Sequence, residues 1–225
     1  DGIRDLVRSR GLGDVYKRQD MKGYFKSNAV LVSDFDGTMT RYDFYQLVRE
    51  RLLPRDTPDF WEGYRAGRMS HFEALRAIFA SIRSEESEVL QIVNEMALDP
   101  ELPQAVSTLR EAGWDVVVAS AGCDWYIKKL LGDCGVTVPI FANPGRFVSG
   151  EGLLMSLPEK GEFFSNTLGV DKAAVVRKAR TKCRHVAFAG DGYPDIDAAE
   201  LVPAHLRFAR GALVECAANK GLAFI

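Results

Sequence analysis

The chain has no apolar run near the roughly 20 residues needed to span a bilayer, and this gives no reason to expect a membrane-spanning helix. Its four cysteines (Cys123, Cys134, Cys183, Cys216) make no C-x-x-C pair and no zinc-ligand spacing. They read as small buried residues of a chain working in a reducing compartment, which points to the cytoplasm. The three histidines (His71, His185, His205) are scattered; His185 opens an apolar run and reads as structural. A formal net charge of −2 gives no reason to expect nucleic acid or an anionic membrane as partner. Low-complexity tracts and internal repeats are also missing. What remains is an ordinary globular composition long enough for one large domain, or a core with an insertion.

The first twenty residues do not read as the start of that fold. Residues 2–19 lack apolar periodicity, and the string at 11–19 resembles translated adapter sequence; no apolar segment follows its arginines, as a signal peptide would require. Residues 1–20 are therefore expected to be a non-native extension, with Met21 as the native start. At the other end, Gly221-Leu222-Ala223-Phe224-Ile225 reads as a strand just beginning.

The richest stretch is Asp34-Phe35-Asp36-Gly37-Thr38, which closes the apolar run Ala29-Val30-Leu31-Val32. A buried strand here ejects two carboxylates at its C-terminal end, two residues apart and so on one side of the pleat. In an open α/β sheet that edge is where ligands bind. Two like charges this close need a cation or a shared proton. A hard divalent ion such as Mg²⁺ suits an all-oxygen site.

After a first strand at 29–34, the pattern from 41 to 98 has helical spacing and no convincing buried strand. Phe44, Leu47 and Val48 share a face, and Leu52-Leu53-Pro54 ends that helix. Phe60, Trp61 and Tyr64 form an aromatic cluster that reads as apolar core of this block. Ser70 with Glu73 forms a capping box ahead of Leu75, Ile78, Phe79 and Ile82, and a further helix carries Val89, Ile92, Val93 and Met96. From about 100 the chain alternates: helix 101–112, strand 115–119, helix 124–132, a strand near 138–142, a hairpin within 146–157, helix 171–180, strand 185–189, a helix to about 201, strand 205–209 and a short helix. Alternation of this kind argues a parallel sheet with right-handed crossovers. The expected fold is thus α/β, a Rossmann-like parallel sheet core (21–40 and 99–225) with a small all-helical cap (41–98) inserted after the first strand.

Three more strand-end elements belong on the same sheet edge. Ser120 follows an apolar strand, so its hydroxyl and the backbone N–H groups from Ala121 onward can hold a phosphate oxygen. Lys172 starts a helix and can set an ammonium over phosphate and nucleophile. Asp191, in Gly190-Asp191-Gly192-Tyr193-Pro194-Asp195, can ligate a metal, with Asp195 four residues on. A D-x-D pair alone is common in surface turns; the ordered set is what points to phosphoryl transfer. Asp43, just ahead of the first helix of the block, reads either as a substrate-facing acid or as a helix N-terminal acid. Arg65 and Arg68 read as surface arginines.

The set D-x-D-G-T, Ser120, Lys172 and G-D-G-x-x-D resembles, in order and spacing, the motifs of the haloacid dehalogenase superfamily over about residues 28–215. Insertion directly after the first motif resembles the branch with a helical cap that contains phosphoserine phosphatase. Asp-Phe-Asp-Gly-Thr-Met-Thr, Asp171-Lys172-Ala173-Ala174-Val175-Val176 and Arg207-Phe208-Ala209-Arg210 look like the methionine-salvage phosphatases, which act on 2-hydroxy-3-keto-5-methylthiopentenyl-1-phosphate. Those proteins carry cysteines ahead of the lysine, where this chain has Phe163-Phe164-Ser165-Asn166. The resemblance implies a Mg²⁺-dependent phosphomonoesterase acting on a small phosphorylated metabolite, this one or phosphoserine. It implies Asp34 as nucleophile, Asp36 as acid and base, and Lys172 as the neutralising cation. The metal would be held by Asp34, the Asp36 backbone carbonyl and Asp191, with Asp195 bonding through water or orienting the set; Thr38 and Ser120 would take phosphoryl oxygens. A module that binds phosphate without turnover is the alternative from another class, and Asp36 argues against it, since binding alone needs no general acid.

Overall fold

The computed structural model describes residues 23–225; the expected extension at 1–20 and the start at Met21 lie outside them. Strand β1 (Ala29–Ser33) is followed by four helices, α1 (Phe44–Arg51), α2 (Phe60–Arg65), α3 (His71–Ala80) and α4 (Glu86–Glu95). Then come α5 (Leu102–Glu111), β2 (Trp114–Cys123), α6 (Asp124–Asp133), β3 (Ile140–Asn143), the hairpin β4 (Gly145–Val148) and β5 (Gly152–Met155), and a short pair β6 (Phe164–Ser165) and β7 (Gly169–Val170). The chain continues through α7 (Lys172–Arg180), β8 (His185–Gly190), α8 (Ile196–Ala199), β9 (Arg207–Ala209) and α9 (Gly211–Asn219).

The main sheet has the order β3-β2-β1-β8-β9, with every pair parallel. Strand β1 is central, flanked from Ala29 to Ser33 by β2 and β8. Burial on both faces explains its unbroken apolar run. The period of two divides the side chains: Val30, Val32, Val117 and Ala119 pack with Val175, Val176 and Phe188, whereas Val116 and Val118 belong to the apolar cluster that includes Ile127 and Leu131. The second cluster runs on into the helical block, where the Phe44 ring packs, tilted, 4.5 Å from Tyr126 and 5.3 Å from Phe79.

The segments entering and leaving that block lie side by side. Thr40 bridges Leu98, Arg41 and Tyr42 donate to Met96 O, and Asp99 donates to Met39 O. The capping box at α3 is formed by Ser70 and Glu73. Among the described residues no helix is long and apolar enough to cross a membrane.

Three stretches differ from expectation. Strand β2 runs on through Ser120 to Cys123, with a register shift against β3 between Ala119 and Cys123. The residues expected to open a strand at 205 form a 3-10 turn (Ala204–Leu206) behind Pro203, and pairing begins at Arg207 against Phe188. The helix after the second acidic motif opens as a 3-10 turn, Tyr193–Asp195, because the Asp195 side chain takes the N–H groups of Asp191 and Gly192 and tightens the loop. The small β6–β7 pair has no periodicity to announce it. Ile225 exchanges backbone hydrogen bonds with Arg207 and Ala209, as a beginning strand would.

Arg207 is buried, and its guanidinium donates to Ala199 O, Val202 O and Ala223 O, joining α8, the following turn and the last residues. Arg207→Ala leaves three carbonyls without that donor, and at roughly 1 kcal/mol or more for each the variant is expected to lose about 3 kcal/mol of stability. A urea midpoint unchanged from the parent would refute this.

Candidate active site

Asp34 leaves the end of β1, its N–H held by Ala189 O at 2.9 Å, so it starts level with the end of β8. Gly37, in the turn beyond, has φ +69°, and a Cβ there would fall 2.2 Å from Asp191 Oδ2. Only glycine lets the first acidic loop come this close to the second. Asp171 caps α7 by accepting from Ala174 N–H, which sets Lys172 as the first helical residue, pointing inward.

The Lys172 ammonium is 3% exposed and lies 2.8 Å from Asp34 Oδ1 and 2.6 Å from Asp195 Oδ1. Burial alone would lower its pKa, but Asp195 and then Asp34 outweigh that and leave it raised, so it stays charged. Asp195 is used on every side: Oδ1 takes Lys172 and Oδ2 takes the N–H groups of Asp191 and Gly192. Thr38 Oγ1 donates to Asp191 Oδ1 at 3.3 Å. Carboxylate oxygens of Asp34, Asp191 and Asp195 lie within 4.8 Å of one another.

This cluster fits a hard divalent ion. The donors are all oxygen, and Asp34 Oδ1 has the ammonium close by yet no hydrogen bond of good geometry. Asp34, Asp36, Asp43 and Asp191 are all raised above their ordinary value of 3.8, first by burial and then in part by one another and by Asp195; for Asp36, Tyr126 and Phe44 oppose the rise. A cation is what such an acidic group is missing.

Asp36 stands apart from the three. Its Oδ1 accepts from the N–H of Phe44, the first residue of α1, and its Oδ2 accepts from the Tyr126 hydroxyl at 2.8 Å. Burial pushes Asp36 up to about 6, against the lowering effect of those two bonds. A carboxyl near that value can both give and take a proton near neutrality. Asp43 is the helix N-terminal acid: it caps α1 by accepting from Tyr45 N–H, and its carboxyl is close enough to Asp36 to feel its charge.

Ser120 is buried, and its Oγ accepts from Gly122 N–H at 3.0 Å. Ala121 is buried next to it, with its carbonyl taken by Asn143 Nδ2. Thus the four strand-end elements named from sequence come together at one sheet edge. Sequence reasoning passed over Tyr126, Asn143 and Arg210. Tyr126 holds Asp36, and a Cβ on Gly122 would strike its hydroxyl at 2.0 Å. Asn143 Nδ2 donates to Ala121 O near the end of β2 and to Leu168 O just ahead of β7. Exposed Arg210 donates to Thr38 O at 3.4 Å and opposes, in small part, the rise of Asp191. Tyr126 sits three residues after a strand end on a helix, a signal too weak to single it out; Asn143 does end a strand on the same edge.

The haloacid dehalogenase-like hydrolase family profile matches residues 31–200. The chain belongs to this family. The 2-hydroxy-3-keto-5-methylthiopentenyl-1-phosphate phosphatase of Brevibacillus brevis is 26% identical over 176 residues, which is 76% of this chain and 79% of that one. Phosphoserine phosphatase of Vibrio cholerae is 26% identical over 123 residues, 52% of this chain and 37% of its own. Among solved structures, a phosphoserine phosphatase captured as a phospho-aspartyl intermediate analogue aligns with a TM-score of 0.55 at 15% identity, covering 84% of this chain and 90% of that one; this likeness speaks to the fold. The chain is a haloacid dehalogenase-type phosphatase, related to the methionine-salvage and phosphoserine phosphatases.

The raised carboxyls make a prediction for this phosphatase without metal. A carboxyl whose folded pKa exceeds its unfolded one adds stability below about pH 4 that is lost as pH rises through the folded value, about 6 for Asp36. In chelator the melting temperature is therefore expected to fall between pH 4 and pH 6.5, and added Mg²⁺ at pH 7 to restore it. A chelated protein that melts higher at pH 6.5 than at pH 4 contradicts the assignment.

Proposed function

We propose that the protein is a Mg²⁺-dependent phosphomonoesterase working through an aspartyl-phosphate. The observation that carries this is the separation of two carboxyls two residues apart: Asp34 lies against Lys172 in the acidic cluster, whereas Asp36 is held outside it by Tyr126 and the Phe44 N–H. In this reading Asp34 attacks and Asp36 moves a proton.

Asp34 attacks phosphorus, and the bond from phosphorus to the ester oxygen breaks with its electron pair passing to that oxygen. Asp36 gives its proton there and the alcohol leaves. Asp36 then takes a proton from water, which attacks the same phosphorus, releases inorganic phosphate and restores Asp34. Lys172 offsets the negative charge of nucleophile and phosphoryl group. Ser120, the Ala121 N–H and Thr38 are assigned to the phosphoryl oxygens, and Asp43 to the substrate side of the site. Asp34, Asp191 and the Asp36 carbonyl would hold Mg²⁺, with Asp195 orienting the set, and the bound ion would supply charge neutralisation at the phosphate. The helices of 41–98 act as a cap over residues 21–40 and 99–225 and exclude bulk water in the first transfer. The cytoplasm remains the expected setting.

The first substrate to consider is 2-hydroxy-3-keto-5-methylthiopentenyl-1-phosphate, the one in the name of the Brevibacillus brevis relative. Phosphoserine comes second. Arg65 and Arg68 are exposed and paired with Asp59 and Glu62.

Phosphate release from a panel of small monoesters tests the reading. Turnover well above one per protein is expected, abolished by chelator. Asp34→Asn is expected to lower it by about a thousandfold or more, and Asp36→Asn by about a hundredfold to ten-thousandfold. Full activity in Asp34→Asn would end the proposal.

A further inference from the structure

The Tyr126 hydroxyl makes two contacts, and together they fix where its proton points. Its oxygen accepts from Cys123 N–H at 3.2 Å, and its O–H donates to Asp36 Oδ2 at 2.8 Å. A backbone amide can only donate, so the oxygen presents a lone pair to Cys123 and turns its proton to the carboxyl. The ring is 1% exposed and packs against Phe35, Phe44 and Phe79 at 6.4, 4.5 and 6.4 Å, which denies it room to swing away. Asp36 itself remains partly exposed.

This grip ties the acid to the phosphate side of the site. Cys123 ends β2 directly after Ser120, Ala121 and Gly122, the stretch assigned to the phosphoryl oxygens. The other Asp36 oxygen accepts from Phe44 N–H at 3.2 Å, so each carboxyl oxygen has a donor from the protein. Gly122 supplies the room. A Cβ there would lie 2.0 Å from the Tyr126 hydroxyl oxygen and 2.7 Å from Asp36 Oδ2, so a side chain at this position would part the two groups.

Resting on the phosphomonoesterase reading, we propose that Tyr126 is a positioning residue for the first transfer, its hydroxyl fixing the Asp36 carboxyl so that the proton of Asp36 meets the ester oxygen as that oxygen leaves phosphorus. The O–H bond of Asp36 breaks and its proton passes to the departing oxygen, which takes the electron pair of the broken P–O bond. Tyr126 keeps its own proton throughout and acts through Asp36 alone. Its weight therefore grows with the basicity of the leaving oxygen: a basic oxygen needs the proton in order to leave, whereas an acidic phenol departs as the anion.

The test measures kcat/KM with Mg²⁺ for phenyl phosphates substituted from para-methoxy to para-nitro, whose leaving groups share one ring and differ in basicity. This ratio covers the steps through release of the phenol and is blind to later hydrolysis of the aspartyl-phosphate. Tyr126→Phe is expected to lose about tenfold at the para-methoxy end and less than about twofold at the para-nitro end, a part of the roughly hundredfold to ten-thousandfold that a positioned acid contributes. Inhibition by inorganic phosphate is expected to stay within about twofold of the parent, since the lost bond is to Asp36. Gly122→Ala, which retains the hydroxyl but parts it from the carboxyl, is expected to steepen the dependence on leaving group in the same way. A ring-fluorinated tyrosine in place of Tyr126, which keeps the hydroxyl, is expected to restore the parent dependence. Equal losses across the series, or phosphate inhibition weakened in step with kcat/KM, overturn the inference and leave the phosphatase reading standing. A parent that releases phosphate from no ester overturns both.

Discussion

The arrangement around the buried Lys172 ammonium is the constraint on which the site depends. A charge removed from water costs several kcal/mol unless it is closely paired, and Lys172 is paired twice, with Asp34 at the end of β1 and with Asp195 beyond β8. Asp195 in turn gathers the N–H groups of Asp191 and Gly192. One cation therefore brings three separate stretches of chain into register. Breaking a pair of this kind leaves an unmatched charge in the interior, so the three stretches hold together as a unit.

The same pairing leaves an imbalance. Asp34, Asp36, Asp43, Asp191 and Asp195 act on one another around a single buried ammonium, with Arg210 at the rim. Each of the first four holds its proton more tightly than usual because burial and neighbouring negative charge oppose ionisation. An all-oxygen acidic site of this kind fits a hard divalent ion. Asp36 escapes the cluster because Tyr126 and the start of α1 hold it elsewhere.

That hold also joins the helical block to the sheet. Asp36 is bonded to the N–H of Phe44, whose ring packs on Tyr126, whose hydroxyl returns to Asp36. Across the block, Phe72 is tied to Thr167. The position of the helices and the orientation of the acid are thus parts of one contact network, and movement of α1 away from the sheet would release Asp36.

The parallel sheet, the helical insertion and the strand ends carrying Asp34, Ser120, Lys172 and Asp191 were legible in the residues, because burial on both faces writes long apolar runs and the chemistry sits where those runs stop. The family profile and the sheet bear out that fold. Other features were illegible. Trp61 reads as core by composition, yet only its surroundings reveal an indole N–H without a partner. Tyr126 and Asn143 lie 90 and 22 residues from the groups they bond, and no local period records such distances. Strand β9 starts late because Pro203 and the turn behind it use two residues that look β-forming. By itself the sequence determined the elements and their chemical endings, since periodicity and strand termini are local properties. Only the tertiary structure decided which carboxyl meets the ammonium and which is turned away, because those outcomes depend on charges and rings brought together from distant parts of the chain.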